Sequence, residues 1–258
     1  RLYIVMAFYD GPSLRQVMED GPLEVGDAVA IAHQVASGLR QAHAQGIVHR
    51  DVKPANVVLA GDRRTGARTV KVVDFGLATS ADDTRMTRTG AALGTVAYMS
   101  PEQARGEAVD ARTDVWSWGV MLYEMLAGQR PFLGPPGPAV IHKILHEPPV
   151  SITTLRKGLP EALVRIVERC LEKDPDRRPA SMGEVLAELE ALAGELGWEV
   201  SGTATGVRRI RTRAFRPRRL YAGTALVLLA VMASLVVHQW RDAGPYVTGT
   251  RIVVLPFE

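Results

Sequence analysis

The side chains best suited to chemistry lie close together in the stretch HRDVKPAN, residues 49–56. Asp51 offers a carboxylate that can accept or orient the proton of a hydroxyl group. Lys53, two residues further on and on the same side of an extended loop, offers an ammonium group to a phosphate. Asn56 supplies a neutral hard oxygen, and Asp74 supplies a charged one. Because Mg²⁺ prefers oxygen ligands and keeps phosphate among them, this set is suited to metal-assisted phosphate chemistry.

Two short predicted strands position these residues. Val57–Leu59 and Val70–Val73 are apolar runs joined by a polar turn. A hairpin between them would bring Asn56 and Asp74, at the ends of the two strands, to the same place. A further strand is predicted over Leu2–Phe8, followed by a turn.

The remainder of the N-terminal part is predicted to be mainly helical. Periodicity and capping residues place helices, approximately, at residues 14–20, 25–45, 113–126, 161–171 and 181–196. The segment 113–126 is apolar nearly all round, which is typical of a helix buried in the centre of a domain. Residues 77–99 are polar without periodicity and predict a long loop of the kind that is usually functional or disordered.

Composition limits the classes of function. The 258 residues are 47% hydrophobic and 23% charged, which is typical of a globular protein. The net charge of +3 arises from the C-terminal part, because residues 208–219 hold seven arginines and no acidic residue. No nucleic-acid surface is therefore expected on the main domain. The single cysteine, Cys170, excludes an intrachain disulfide and lies at helical spacing among apolar residues.

Five motifs occur in a fixed order: HRDVKPAN (49–56), DFG (74–76), GTVAYMSPE (94–102), DVWSWG (114–119) and DPDRRP (174–179). Together they resemble the motif set of eukaryotic-type (Hanks-type) protein kinases. The Lys after His-Arg-Asp marks the serine/threonine branch, and LGTVAYMSPEQARG is similar to the bacterial membrane-anchored members. The resemblance covers about residues 1–195. It implies an α+β, protein-kinase-like fold, consisting mainly of the helical C-lobe with the hinge.

The resemblance also implies roles for single residues. Asp51 and Lys53 match the catalytic residues, with Asn56 and Asp74 as ligands of Mg²⁺, or of Mn²⁺ in its place. ATP would be the phosphate donor, and serine or threonine hydroxyls of proteins would be the acceptors. Residues with supporting roles are His49 and Phe75 in hydrophobic packing, Gly76 in backbone freedom, Asp114 in bracing the catalytic loop, Thr95 in contacting Asp51 and Lys53, and the buried ion pair of Glu102 with Arg178.

The first residues resemble the hinge between the two kinase lobes. Met6 then corresponds to the gatekeeper, Ala7 and Tyr9 offer backbone groups to adenine, and Val58 forms the adenine floor. The sequence contains nothing that corresponds to the glycine-rich loop, the ATP-binding strand lysine or its glutamate partner. We therefore expect a fragment that lacks most of the N-lobe, and we expect these 258 residues alone not to phosphorylate a substrate.

Regulation is predicted in the loop after Asp74. Thr87 and Thr89 align best with the activating phosphothreonines of the bacterial relatives. The guanidinium of Arg50 could pair with such a phosphate through charge-assisted hydrogen bonds. The alternative is that both are ordinary exposed loop threonines.

A membrane anchor is predicted beyond the kinase-like part. After the basic linker 196–219, residues 220–237 are 18 residues without a charge, about 27 Å of helix and enough to cross a bilayer core. We assign the span to 220–238 and an extracytoplasmic domain start to 239–258. The arginines place the kinase-like part in the cytoplasm, at the inner membrane of the cell. A buried helix of a soluble domain is the alternative.

The leading hypothesis is a single-pass membrane serine/threonine kinase that also phosphorylates itself and acts on proteins rather than nucleic acid. A homodimer is compatible with this hypothesis, but the sequence does not determine the oligomeric state. The alternative is a pseudokinase receptor or scaffold that signals by binding without catalysis. The presence of Asp51, Lys53, Asn56 and Asp74 argues against it, since a pseudokinase tends to lose at least one of them. The third interpretation is a helical membrane adaptor unrelated to kinases. It would require the five ordered motifs to have arisen by chance.

Overall fold

The structure, a computed structural model, describes residues 7–61, 68–75, 96–135 and 137–198. The described part is mainly helical with one small sheet. Its elements are α1 (Leu14–Val17), α2 (Val25–Ala44), β1 (Val57–Gly61), β2 (Arg68–Val72), α3 (Pro101–Arg105), α4 (Arg112–Ala127), α5 (Pro138–His146), α6 (Ile152–Leu155), α7 (Glu161–Cys170) and α8 (Met182–Leu196). Single 3₁₀ turns lie at Met18–Asp20, Pro54–Asn56, Val96–Tyr98 and Pro175–Arg177.

The core forms around α4, which the sequence predicts to be buried. Thirteen of its residues are buried, and they lie on all sides of the helix. Helices α2 and α7 pack against it, and the Trp118 indole nitrogen donates to the Ala32 carbonyl of α2 at 2.9 Å. A helix this apolar is stable only where neighbours cover every face. The prediction of a central buried helix is therefore confirmed.

The two strands form the predicted hairpin. β1 and β2 are antiparallel, with Val57 opposite Val72 and Gly61 opposite Arg68. The chain before α1 runs beside β1, because the Leu59 amide donates to the Pro12 carbonyl at 2.9 Å. This approach requires a glycine at position 11, since a Cβ there would lie 2.1 Å from the Leu59 carbonyl oxygen.

The other predicted helices are confirmed with small shifts at their ends. Ser13 caps α1 in a capping box with Gln16, and Ser181 caps α8. The helix α5 is not in the sequence-based prediction, which takes the Gly/Pro-rich stretch at 134–138 as a break only. Pro138 instead occupies the first turn of α5, where its missing amide hydrogen costs nothing.

The first strand prediction is wrong at its end. Ala7 and Phe8 lie in irregular structure, and residues 1–6 are outside the described residues.

No helix in the part of the chain that the structure describes combines the length and apolar content needed to cross a membrane. The span predicted at 220–238 and the segment 239–258 are outside the described residues, as is the linker from residue 199 onward.

Candidate active site

The backbone of the loop at residues 49–56 is held by the buried carboxylate of Asp114, the third residue of α4. Its oxygens accept the amide hydrogens of His49 and Arg50, each at 2.8 Å. A ring nitrogen of His43, near the end of α2, lies 2.7 Å from the same carboxylate. Arg50 has a φ of +65°, a conformation that is unfavourable for a residue with a side chain. Asp114 therefore fixes a strained turn directly before Asp51.

The structure brings Asp51, Lys53 and Asn56 together. The Lys53 Nζ donates to the Asp51 Oδ2 at 2.7 Å. The Asn56 Nδ2 donates to the same Oδ2 at 3.0 Å and to the Asp51 carbonyl at 2.9 Å. The Asp51 and Lys53 side chains remain 32% and 18% exposed. The carboxylate is therefore oriented by two donors while part of it stays open to a ligand.

Asn56 and Asp74 lie at the open end of the hairpin. The Val73 amide donates to the Asn56 carbonyl at 2.9 Å, so Asp74 follows directly after the backbone that pairs with Asn56. Because the Asn56 Nδ2 donates to Asp51, its Oδ1 faces away from that carboxylate. Asp74 is exposed and has a φ of +60°.

This donor set fits Mg²⁺, which takes few protein oxygens and completes its shell with water and phosphate. Asn56 and Asp74 supply one amide oxygen and one carboxylate. Within the described ranges there is no cluster of three or more His, Cys, Asp or Glu side chains that could hold a metal ion by itself. Because Asn56 and Asp74 are only two protein ligands, a metal ion held by them would take phosphate or water oxygens as further ligands.

His49 is fully buried and both of its ring nitrogens face backbone groups. Its Nδ1 accepts the Asp51 amide hydrogen at 3.2 Å, and its Nε2 lies 3.0 Å from the Val73 carbonyl. These partners place the ring hydrogen on Nε2. The ring also packs against Phe75, with centroids 4.6 Å apart. Both nitrogens are occupied, so His49 links the loop to the hairpin and is not available as a base.

A buried ion pair stands at the start of α3. Two nitrogens of Arg178 donate to the two carboxylate oxygens of Glu102, both at 2.8 Å. The Arg178 guanidinium also reaches the carbonyls of Glu172 at 2.7 Å and of Lys173 and Arg112 at 3.1 Å. Burial raises the pKa of Glu102, but the hydrogen bonds and charge of Arg178 outweigh burial and hold that pKa below its ordinary value.

The predicted hinge residues are described only in part. Ala7 and Tyr9 are exposed, and the Lys71 ammonium of β2 lies 5.8 Å from the centre of the Tyr9 ring. Val58 lies in β1, paired with Ser13 through an isolated bridge. The structure therefore places the hinge-like segment beside the hairpin that carries Asn56. The remaining predicted site residues, Met6, Gly76, Thr87, Thr89 and Thr95, lie outside the described residues.

Sequence reasoning missed two residues that contact this site. His43 bonds to Asp114, and the Gln103 side chain donates to the Arg50 carbonyl at 2.8 Å. The Ser-Pro-Glu-Gln stretch at 100–103 is readable as a capping box, which identifies Gln103 as a cap residue. The bond from its side-chain Nε2 to the Arg50 carbonyl depends on tertiary structure, because Arg50 lies 53 residues earlier.

The comparisons with known proteins agree with this geometry. The protein kinase domain family matches residues 1–188. The chain is 41% identical over 189 residues to the serine/threonine-protein kinase PknB of Mycobacterium leprae, and 42% identical over 190 residues to PknB of Mycolicibacterium smegmatis. A probable serine/threonine-protein kinase of Clostridium perfringens is 35% identical over 216 residues.

These matches cover 72% of this chain for the two PknB proteins and 83% for the clostridial protein. They cover 30%, 30% and 31% of the respective relatives, so the chain spans about a third of the length of the curated relatives that it matches. The family match covers well over half of the 258 residues. The chain therefore belongs to the protein kinase family.

Proposed function

We propose that this chain supplies the catalytic loop and the substrate-facing part of a serine/threonine protein kinase. The observation that carries the proposal is the convergence of Lys53 and Asn56 on one oxygen of Asp51, at 2.7 and 3.0 Å. A carboxylate oriented in this way can accept the proton of an incoming serine or threonine hydroxyl. The names of the PknB relatives support the choice of serine and threonine as acceptors.

In this proposal the residues of the site have distinct roles. Asp51 orients the hydroxyl and accepts its proton, and Lys53 compensates negative charge on the transferred γ-phosphate of ATP. Asn56 and Asp74 hold the metal ion, Mg²⁺ or alternatively Mn²⁺, which neutralises phosphate charge when bound. His43 and Asp114 hold the loop in place, and the Ala7–Tyr9 backbone with Val58 faces the adenine.

The test is transfer of radiolabelled phosphate from ATP to a serine-containing protein by the complete protein. An Asp51→Asn variant should lose about 10²- to 10⁴-fold in kcat, and Asp110→Asn, on the exposed turn before α4, serves as the matched control. ATP binding without transfer by the complete wild-type protein would instead favour the pseudokinase alternative.

The 258 residues alone should show no turnover in the same assay, because they do not include a glycine-rich loop or the lysine that pairs the α- and β-phosphates. Measurable turnover by the chain alone would contradict this part of the proposal.

Regulation would act through the loop after Asp74. Phosphates on Thr87 or Thr89, placed there by the kinase itself, would pair with Arg50, whose side chain is exposed beside Asp51. A Thr87→Ala/Thr89→Ala variant of the complete protein should then lose activity, and unchanged activity would exclude both threonines as the switch.

Membrane anchoring is the last part of the proposal. Residues 220–238 would cross the cell membrane once, with 1–195 in the cytoplasm, the basic linker 196–219 at the inner surface and 239–258 outside. The apolar run and the seven arginines before it support this orientation. Protease digestion of sealed cells and of inverted vesicles tests it. Chemical crosslinking in the membrane tests the homodimer.

A further inference from the structure

The backbone of Arg50 is held from both sides. Its amide hydrogen is donated to Asp114 of α4 at 2.8 Å, and its carbonyl accepts a hydrogen bond from the Gln103 Nε2 of α3, also at 2.8 Å. The φ of +65° at Arg50 is unfavourable for a residue with a Cβ, so the loop keeps this conformation only where neighbours fix it. Two helices share that task.

Gln103 uses both ends of its side-chain amide. The Oε1 accepts the Ser100 backbone amide hydrogen at 3.0 Å, while the backbone amide of Gln103 donates to the Ser100 hydroxyl at 3.2 Å. These two bonds form the capping box of α3. The Nε2 is left to bind the Arg50 carbonyl. A capping box accepts glutamate as well as glutamine, but a carboxylate has no hydrogen to donate. The bond to Arg50 therefore distinguishes glutamine from glutamate here.

Helix α3 is itself anchored to the core. The Ser100 hydroxyl lies 2.6 Å from the Thr113 hydroxyl of α4 in a buried contact, and the Glu102 carboxylate is bound by Arg178. The Val96–Tyr98 turn directly precedes this anchor. Any displacement of residues 96–105 would thus move the Gln103 side chain relative to Arg50.

We propose that Gln103 is a positioning residue that connects the segment 96–105 to the catalytic loop by fixing the Arg50 carbonyl. Because Asp51 is the next residue, the placement of α3 sets the orientation of the Asp51 carboxylate. The link from orientation to catalysis rests on the proposed function. The link between Gln103 and the loop does not.

Two variants of the full 258-residue chain test the structural link by amide hydrogen exchange, resolved by NMR. Gln103→Glu keeps the acceptor of the capping box and removes the donor to Arg50, whereas Gln103→Ala removes both. The reporter of the loop is the Arg50 amide. The reporter of α3 is the Ala104 amide, which donates to the Ser100 carbonyl at 2.9 Å.

In Gln103→Glu the Arg50 amide should exchange about three- to tenfold faster, as expected for one lost hydrogen bond, while Ala104 keeps its wild-type rate. In Gln103→Ala both amides should exchange faster. Because the alanine variant brings no new charge, it shows whether the effect in Gln103→Glu is due to repulsion. An unchanged Arg50 rate in both variants overturns the proposal, and so does acceleration of Ala104 without Arg50.

Kinetics of the complete protein test the consequence. Gln103→Glu and Gln103→Ala should lower kcat for phosphate transfer while the KM for ATP stays at its wild-type value, because the Asp51 carboxylate and not the nucleotide site is disturbed. Faster exchange at Arg50 with an unchanged kcat overturns the claim that Gln103 positions Asp51. If the wild-type protein transfers no phosphate, the proposed function fails, while the exchange experiment still decides the structural link.

Discussion

Two ion pairs of similar length occupy opposite environments in this domain. The Lys53–Asp51 pair is 2.7 Å long, with side chains 18% and 32% exposed. The Arg178–Glu102 pair is 2.8 Å long, with side chains 0% and 6% exposed. The buried guanidinium also binds three backbone carbonyls, whereas the Asp51 carboxylate remains partly exposed. The distance alone does not separate a buried pair from a partly exposed one.

The difference follows from the cost of burying charge. A charge removed from water must be compensated by its partners, so a buried pair needs both members and a full set of hydrogen bonds. A partly exposed pair contributes less to stability, and part of its carboxylate stays open to a ligand. Asp114 combines features of both cases. It is a buried acceptor, and it binds the His49 and Arg50 amides of the loop that carries the partly exposed Lys53–Asp51 pair.

The largest effect is expected from breaking the buried pair. Glu102→Ala should lower the free energy of unfolding by about 3–5 kcal/mol, because Arg178 would keep an unpaired buried charge. Denaturant unfolding followed by tryptophan fluorescence measures it. The control is Glu102→Leu combined with Arg178→Met, which removes both charges and should cost less than the single variant. Equal losses in the two proteins would contradict this account of the pair.

Removal of Asp114 should have the next largest effect. Asp114→Ala leaves the amides of His49 and Arg50 without their acceptor and should cost about 2–4 kcal/mol of unfolding free energy. The buried His49 amide accounts for about 1–3 kcal/mol of this loss, and the partly buried Arg50 amide accounts for less. The same unfolding experiment applies. His43→Ala, which removes one contact of the carboxylate but leaves the two backbone bonds, should cost distinctly less. A larger loss in His43→Ala than in Asp114→Ala would refute the assignment.

The open pair should show the reverse behaviour. Asp51→Asn should change the free energy of unfolding by less than about 1 kcal/mol, because the partly exposed pair is screened by water, although it should abolish most of the proposed activity. Unfolding curves of the wild type and the variant decide the first point. A loss comparable to that of Glu102→Ala would show that the two ion pairs do not differ as described.

A smaller, pH-dependent effect is expected at Lys173. Its Nζ donates to the Ile144 carbonyl of α5 at 2.6 Å and lies 3.9 Å from the centre of the Phe132 ring, and both contacts favour the charged form. Burial, with repulsion from Arg178, nevertheless lowers the pKa of Lys173 to about 8, against an attraction from Glu147.

The unfolded chain therefore binds more protons than the folded chain between pH 8 and an ordinary lysine pKa of about 10.4. The contribution of this group to stability should rise as the pH increases through that window. The measurement is the difference in unfolding free energy between wild type and Lys173→Met at pH 7 and pH 9.5. The stability of the wild type relative to Lys173→Met should be greater at pH 9.5 than at pH 7. If it is not, the lowered pKa of Lys173 is contradicted.

The long helices, the hairpin and the convergence of Asp51, Lys53 and Asn56 were predictable because they depend on local patterns, whereas the short helices α3 and α6 were not predicted. The α4 sequence is apolar all round, and the β1 and β2 runs are separated by a polar turn, so both elements follow from periodicity. The residues Asp51, Lys53 and Asn56 lie within six positions of one another, and their convergence needs only a short loop. Helix α5 was missed because two glycines and three prolines precede its second residue, and a proline is compatible with a first turn as well as with a break.

By itself, the sequence determined the candidate chemistry, the family and the predicted pairing of Glu102 with Arg178, because ordered motifs carry that information. Tertiary structure alone decided that His43 meets the Asp114 carboxylate and that Gln103 meets the Arg50 carbonyl, at separations of 71 and 53 residues. It also decided that His49 is occupied on both nitrogens. These roles depend on which buried donor meets which acceptor when distant helices pack, and no local pattern in the sequence encodes that meeting.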